Sequence, residues 1–168
     1  MIKIVEAEGL WHLDQVRDLI REFVSWHRQR HTEDIALIDG YFDAKAFEAE
    51  LATLPGKYTP PAGRLLLALS DKDPAGCVAL RKIDAHSCEM KRMFVYRQYH
   101  GMGVGRMLAK AIIDEAKKIG YGSMKLDTSI RQIEAQGLYR SLGFTKTAPY
   151  YELPKKLEDW LVFMELKL

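Results

Sequence analysis

The sequence predicts a mixed α/β fold in which antiparallel strands come first and a parallel pair of strands follows near the middle. Three short apolar runs between residues 64 and 96 are separated by polar turns, a spacing typical of an antiparallel meander. Residues 87–128 then pass from strand to glycine-rich turn, helix and strand again, and such a βαβ connection places its two strands parallel. A length of 168 residues suits a single domain spanning 1–168.

The N-terminal part predicts one strand and two helices. The run "MIKIVEA" alternates apolar and polar residues, as a strand does. Apolar side chains recur at helical spacing over residues 9–30, which predicts an amphipathic helix. We expect a loop with at most a short helical turn over 31–42. A second helix is expected from Asp43 to just before Pro55, followed by a loop at "KYTPPAG".

The C-terminal part predicts an alternation of helices and strands. A helix over 106–119 is capped by Gly120 and is followed by the strand "SMKLDTS". The segment "QIEAQGLYRSLG" predicts a helix that ends at Gly143. We expect two final strands, at "TKTAPYYEL" and "DWLVFMELKL". The predicted order is therefore β-α-α-β-β-β-α-β-α-β-β.

The charge, the N-terminal sequence and the cysteines argue against a nucleic-acid-binding, membrane-bound or secreted protein. A net charge of +2 offers neither the basic surface that nucleic acid requires nor a polybasic membrane anchor. The N-terminus lacks the basic-then-apolar order of a signal peptide, and no apolar run approaches the roughly 20 residues of a membrane span. Cys77 and Cys88 lie inside apolar runs, as reduced thiols do. We expect a cytoplasmic protein without nucleic-acid or membrane partners.

The stretch "QYHGMGVGRML", residues 98–108, places three glycines at the entrance to a helix. A helix N-terminus carries unpaired N–H groups and a partial positive charge, and glycines let an anion approach the backbone. Gly101, Gly103 and Gly105, with Arg106 beside them, therefore suit a pyrophosphate site, although a tight turn without a ligand is equally consistent with them. The dinucleotide fingerprint and the P-loop pattern are both absent here.

Two motifs resemble those of the GCN5-related N-acetyltransferase (GNAT) superfamily. The glycines resemble its coenzyme A loop, Q/R-x-x-G-x-G/A, and "AQGLYRSLGF" at 135–144 resembles its second motif, A-x-x-L-Y-x-x-x-G-F. His100 stands where the family usually has Arg or Gln, and Gln132 where it often has Asn. The resemblance implies a GNAT-like fold, with antiparallel N-terminal strands and a parallel, splayed pair at the central βαβ unit.

The resemblance also implies acetyl-CoA as the acyl donor, with no metal ion, and assigns site residues. The pantetheine arm would lie along 93–95, and a backbone N–H of Phe94 or Val95 would polarise the thioester carbonyl. The implied cofactor-binding residues are Met93, Phe94, Val95, His100, Gly101, Met102, Gly103, Val104, Gly105, Arg106 and Gln132.

Two residues are implied to be catalytic. Tyr139, in the L-Y motif, is the candidate general acid toward the departing thiolate; a helical aromatic packed in the core is the alternative. Glu89 is the candidate general base acting through a water, or else a solvated strand residue paired with Lys91. Strand alternation places Glu89, Lys91 and Met93 on one face.

The acceptor is the least defined part of this reading. The resemblance implies a primary amine, which is a small molecule, a peptide N-terminus or a lysine. His27, Arg30 and His31 at the end of the first helix, Asp127, and the aromatic residues Tyr150, Tyr151 and Trp160 are candidate acceptor contacts, or else solvated and core residues. A non-catalytic CoA-binding sensor and a phosphate-binding scaffold remain alternatives, and family habit suggests a homodimer through the C-terminal strands.

Overall fold

A computed structural model describes residues 1–168 and contains one seven-stranded sheet in the order β1-β2-β3-β4-β5-β7-β6. All neighbouring strands are antiparallel except β4 and β5, which are parallel. The mixed α/β prediction is therefore confirmed. The strands are β1 (Ile2–Glu6), β2 (Arg64–Ser70), β3 (Asp73–Lys82), β4 (Ser87–Val95), β5 (Ser123–Ser129), β6 (Thr145–Lys146) and β7 (Leu161–Lys167).

Helices cover both faces of the sheet, which explains why "RLLLALS" is apolar throughout instead of alternating. Alternate residues of β2 enter different cores: Leu66 belongs to one, and Leu65 and Leu67 to the other. The helices are α1 (Gly9–Arg30), α2 (Ile35–Tyr41), α3 (Ala44–Ala52), α4 (Val104–Ile119), α5 (Ile133–Ser141) and α6 (Lys155–Trp160). Helices α4 and α5 pack on one face, and α1 and α3 on the other. No helix is both long enough and apolar enough to cross a bilayer.

Strands β4 and β5 pair over only part of their length. Three residue pairs join them, from Ser87 with Ser123 to Glu89 with Lys125. Beyond Glu89, β4 continues to Val95 and β5 continues to Ser129 without further pairing between them. The two strands thus separate in the middle of the sheet and leave their facing edges open. This is the splayed parallel pair that the sequence predicts.

A β-bulge in β4 lies at the point where the strands separate. Cys77 of β3 pairs with Phe94, whereas Ala79 pairs with Lys91, so β4 holds one extra residue between these pairs. Arg92 adopts a φ of 57°, in the left-handed region that non-glycine residues rarely occupy. The extra residue changes the side-chain alternation. Met93 consequently packs with the α4 core, and its predicted placement on the face of Glu89 and Lys91 is wrong.

Three other local predictions are wrong, one in the 31–42 segment and two near the C-terminus. Residues 35–41 form helix α2, because Ile38 is buried against Leu157 and Trp160 of α6. The start of "DWLVFMELKL" belongs to α6, and the strand begins only at Leu161. In "TKTAPYYEL", pairing is limited to the two residues of β6. Tertiary packing of short segments, which periodicity does not report, decides all three.

Candidate active site

A groove of about 440 Å³ runs along the open edge of β4 to the N-terminus of α4. Its wall contains all but one of the residues that the sequence nominated for the cofactor: Met93, Phe94, Val95, His100, Gly101, Gly103, Val104, Gly105, Arg106 and Gln132. Met102 is the exception, because its side chain is 57% exposed and does not line the groove. The structure thus brings two separated segments of the chain, β4 with the glycine loop and the start of α5, to one surface.

The glycine loop, residues 100–105, presents backbone N–H groups that have no partner within the protein. Gly101 and Gly103 have φ values of 78° and 79°, and a Cβ on either would meet no atom within 4 Å. The N–H groups concerned are those of Gly101, Gly103, Val104, Gly105 and Arg106. Such unpaired donors at the positive end of a 16-residue helix form an anion site.

His100 has a structural role that accounts for its place in the loop. Its Nε2 lies 2.8 Å from the carbonyl oxygen of Val95, so Nε2 carries the proton and donates. The next residue, Tyr96, donates its N–H to Ala75 of β3. Because successive backbone groups of a strand point to opposite edges, the N–H and C=O of Val95 both face the open edge of β4.

The opposite wall of the groove comes from α1, which the sequence did not nominate for the cofactor. Phe23, Trp26 and Arg30 line it, and the Arg30 guanidinium lies 5.2 Å from the centre of the Trp26 ring. Arg30, placed among the acceptor candidates from the sequence, lines this groove instead, as Arg106 does, and does not line the inner cavity. The spacing 23, 26 and 30 marks one face of a helix, and that periodicity alone predicts only burial.

A smaller inner cavity of about 90 Å³ lies between the separated strands. Phe23, Met93, Gln132 and Ala135 line both this inner cavity and the groove, so the two spaces adjoin. Its polar lining combines charged and phenolic side chains from four elements: Tyr41 of α2, Lys91 and Arg92 of β4, Asp127 of β5 and Tyr139 of α5. Two reactants entering from the groove and from the inner cavity would meet at this junction.

Tyr139 lines the inner cavity one helical turn after Ala135, which lines both spaces. Its ring packs against Phe144 in the core and is 6% exposed. Burial, and secondarily the charge of Asp127, raise the pKa of Tyr139 above its usual value, so the hydroxyl keeps its proton at neutral pH. Tyr139 is therefore both a core aromatic and a proton-bearing group at the cavity wall.

Asp127 is the carboxylate that lines the inner cavity. It accepts hydrogen bonds from the hydroxyls of Tyr41, at 2.6 Å, and Tyr151. Both of these partners are neutral hydroxyls, and no lysine, arginine or histidine nitrogen lies within the 4.0 Å of an ion pair with Asp127. Tyr151, predicted as a possible wall of the acceptor site, does not line the inner cavity itself. It contacts the cavity wall only through its hydrogen bond to Asp127.

Glu89 has a different environment from the one expected of a solvated strand residue. Its side chain is 1% exposed and does not line the inner cavity. Oε1 accepts from Arg81 Nε at 2.6 Å, and Oε2 accepts from the Tyr150 hydroxyl. Lys91 Nζ lies 3.7 Å from Oε1. Glu89 thus holds two strands and the Tyr150 segment together, and its catalytic role stays a prediction.

Arg92, at the bulge, is bound to α3 by a bidentate ion pair. Its Nε and Nη2 donate to Glu50 at 2.8 and 3.1 Å. Burial opposes ionisation of Glu50, but the hydrogen bonds and charges of Arg92 and Lys57 outweigh it and lower the pKa of Glu50 to about 2. The strained backbone of Arg92 is therefore anchored by one of the stronger pairings available to a side chain.

One histidine of α1, His27, lies in the wall of the inner cavity. It is 2% exposed and has no hydrogen-bond partner for Nδ1. Burial, and next the adjacent His31, lower the pKa of His27 to about 4, so its ring is neutral at pH 7. Trp160 also lines the cavity, with its indole N–H bound to Asp34.

Comparisons with known proteins agree with this geometry. The model of the acetyltransferase (GNAT) family matches residues 14–144. An uncharacterised N-acetyltransferase from Dictyostelium discoideum is 29% identical, over 100% of this chain and 99% of the relative. One from Schizosaccharomyces pombe is 43% identical over 62% of this chain and 66% of its own length.

The fold is shared with solved structures of the same family. PaiA N-acetyltransferase from Thermoplasma acidophilum, in complex with coenzyme A, superimposes with a TM-score of 0.74 over 100% of this chain and 99% of that one, at 18% identity. The family match covers most of the chain and includes both motif regions. On these grounds the chain belongs to the acetyltransferase (GNAT) family.

Proposed function

We propose that the protein transfers the acetyl group of acetyl-CoA to a primary amine by direct attack in a ternary complex. The observation that carries the proposal is the junction of the two spaces between β4 and β5. The groove presents unpaired amides suited to a pyrophosphate, and the inner cavity presents a carboxylate and a protonated phenol. A donor and an acceptor would therefore meet without a covalent enzyme intermediate.

The groove suits two parts of coenzyme A, the pyrophosphate at the glycine loop and the pantetheine arm along β4. The glycine loop and α4 supply N–H donors for the pyrophosphate, and Arg30 and Arg106 add positive charge on either side of the groove. The Arg106 guanidinium is held in place by Ser141 Oγ at 2.7 Å. The open edge of β4 offers backbone groups to the amides of the pantetheine arm, as an additional strand would.

The chemistry needs few groups once both reactants are in place. The neutral amine attacks the thioester carbonyl, the C–N bond forms, and the C–S bond breaks. The N–H of Val95, which faces the open edge, polarises the carbonyl oxygen. Asp127 takes the proton that the amine loses, and Tyr139 hydrogen-bonds the departing sulfur and supplies its proton. Return of a proton from Asp127 to Tyr139 through solvent restores both groups. The products are an acetamide and free coenzyme A.

Asp127 is the better-placed of the two carboxylates for this role. A general base must lie within hydrogen-bond reach of the proton it removes, directly or through one water. Asp127 lines the cavity, whereas Glu89 is enclosed by Arg81, Lys91 and Tyr150. The family resemblance named Glu89 as the candidate base and left Asp127 as a possible acceptor contact, because the sequence does not show which of the two strand residues reaches a cavity.

The test is release of free thiol from acetyl-CoA in the presence of a panel of amines, with mass detection of the acetylated product. The panel contains polyamines, free amino acids, peptides with a free N-terminus and lysine-containing peptides with a blocked one. Turnover with at least one amine is expected. Binding of acetyl-CoA in calorimetry without any turnover would instead identify a sensor, and absence of binding a phosphate-binding scaffold.

A further inference from the structure

Lys91 is a partly buried cation in the wall of the inner cavity, and no acceptor lies within hydrogen-bond distance of its ammonium group. Its side chain is 15% exposed, and Nζ has no acceptor within 3.5 Å. The nearest carboxylate oxygen is Glu89 Oε1, at 3.7 Å, and Arg81 already occupies that oxygen at 2.6 Å. Partial withdrawal of an ammonium from water without an acceptor costs free energy, which a ligand that supplies an acceptor recovers.

The remaining charges around the inner cavity are matched with each other. Arg92 is paired with Glu50, and Glu89 with Arg81. Lys91 and Asp127 remain as one positive and one negative group that face the same cavity. Lys91 has only the Glu89 Oε1 that Arg81 also binds, at 3.7 Å, and Asp127 has only neutral hydroxyl partners. Both adjoin Tyr41: its hydroxyl donates to Asp127 at 2.6 Å, and Lys91 Nζ lies 5.8 Å from the centre of its ring.

We infer that the acceptor is an α-amino acid whose amine hydrogen-bonds Asp127 and whose carboxylate pairs with Lys91. The inference rests on the proposed function and specifies its substrate. A zwitterion complements both of these charges, whereas a simple amine or a lysine side chain complements only Asp127. The aromatic walls formed by Phe42 and Trp160 suit an apolar side chain.

The inference agrees with the proton balance of the reaction. The amino acid reacts after its ammonium has lost a proton to solvent, and this form is an anion whose charge Lys91 compensates; Asp127 stays free to take the proton that the amine loses on attack. Burial lowers the pKa of Lys91, although Glu89 and Asp127 oppose the shift, which indicates incomplete compensation in the protein alone. Lys91 is thus a specificity residue, and the acetyl group still passes directly from sulfur to nitrogen.

The test compares acceptors that differ only in the carboxylate. Phenylalanine, phenylalaninamide and phenethylamine form one series, and leucine, leucinamide and isoamylamine form another. We expect kcat/KM for each acid to exceed that for its amide by at least about tenfold, the discrimination typical of a charged hydrogen bond. Amides have the less basic amine, so intrinsic reactivity at neutral pH would give the opposite preference.

Variants assign the preference to one side chain. Lys91→Met is expected to lower the acid-to-amide ratio of kcat/KM by at least about tenfold, mainly through KM of the acid, and Lys91→Arg to restore part of it. Lys125→Met is the matched control, because Lys125 lies on the same sheet over the Tyr150 ring but outside the cavity wall. Unchanged acetyl-CoA affinity shows that each variant is folded.

The outcomes separate this inference from the proposed function. Acetylation of amides and simple amines as fast as the acids, or of polyamines and peptides in place of amino acids, would overturn the inference and leave the acetyltransferase intact. An unchanged acid-to-amide ratio in Lys91→Met would overturn it as well. No transfer to any amine, with acetyl-CoA bound, would contradict the proposed function itself.

Discussion

Tyr139 shows how a single side chain belongs to the core and to the cavity at once. Its ring packs against Phe144, and its hydroxyl keeps its proton because burial raises the pKa. A phenol with a raised pKa is a weaker acid than the thiol it would protonate, so much of its effect comes from holding a hydrogen bond to the departing sulfur. Removing that hydroxyl leaves the ring packing in place.

Tyr139→Phe is therefore expected to lower kcat by about 100-fold, within the range of general acid catalysis, without changing the affinity for acetyl-CoA. Steady-state kinetics and calorimetry measure the two quantities on the same preparation. Unchanged turnover would show that Tyr139 is only a core residue.

The two carboxylates near the site are expected to respond in opposite ways to neutralisation. Asp127→Asn should lower kcat by at least about 100-fold with little effect on stability, because its partners are neutral hydroxyls. Glu89→Gln should lower the free energy of unfolding by about 3 kcal/mol, since Arg81 and Lys91 lose their buried counter-charge, and should change kcat only a few-fold. Kinetics and urea denaturation of both variants check this; the reverse pattern would restore Glu89 as the base.

Among the secondary-structure elements, the glycine loop and α4 were predictable from the sequence because neighbouring residues alone determine their conformation. Three glycines before an amphipathic run predict an open helix N-terminus wherever they occur. The bulge at Arg92 was not predictable, because it depends on how β4 pairs with β3 and separates from β5. That single inserted residue moves Met93 to the other face of the sheet and leaves Lys91 and Arg92 together at the inner cavity.

Short helices escaped prediction for a related reason. Segments 35–41 and 155–160 are too short for a periodic pattern, and each is helical because it packs against the other. The inner cavity is built from these segments and from side chains of separate strands. For this reason the residues that line the groove could be nominated from sequence motifs, whereas the pairing of Asp127 with Tyr41 and Tyr151 could not be predicted.

The role proposed for the glycine loop can be tested by comparing two glycines at which a Cβ would meet no other atom, Gly103 and Gly137. Gly103→Ala should weaken acetyl-CoA binding by at least about tenfold, because alanine disfavours a φ of 79° by about 1–2 kcal/mol and its methyl group shields the unpaired N–H groups. Gly137→Ala is the matched control: its Cβ also meets no atom within 4 Å, but it lies inside α5.

For Gly137→Ala the expected result is unchanged acetyl-CoA affinity and a free energy of unfolding higher by about 0.5–1 kcal/mol, since alanine is the better helix former. Calorimetry and urea denaturation measure both quantities. Equal affinity in the Gly103→Ala variant would mean that the loop is a turn without an anion.

Glu50, which is partly buried, and His27, which is buried, make the free energy of unfolding of the entire chain fall with acidity in two successive pH ranges. Glu50 has a folded pKa of about 2, below its unfolded value, so its contribution is complete above about pH 4.5 and is lost as the pH falls toward 2. His27 has a folded pKa of about 4, also below its unfolded value, so protonation of the unfolded chain between about pH 6.5 and 4 lowers stability in that range.

Urea denaturation from pH 7 to 3 is expected to show the free energy of unfolding decreasing in both ranges. His27→Gln should flatten the curve only above about pH 4, and Glu50→Gln only below about pH 4.5, so each variant serves as the control for the other. Parallel curves for wild type and both variants would contradict the assignment of these two groups.

The division between main-chain and side-chain recognition has an evolutionary consequence. The pyrophosphate would be held by peptide N–H groups, which every residue except proline carries, so most substitutions in the loop preserve them provided that the residues with positive φ stay glycine. The acceptor would be held by the side chains of Lys91 and Asp127, which a single codon change replaces. Acceptor choice can therefore diverge quickly among descendants of such a chain, while the acetyl donor is inherited with the backbone.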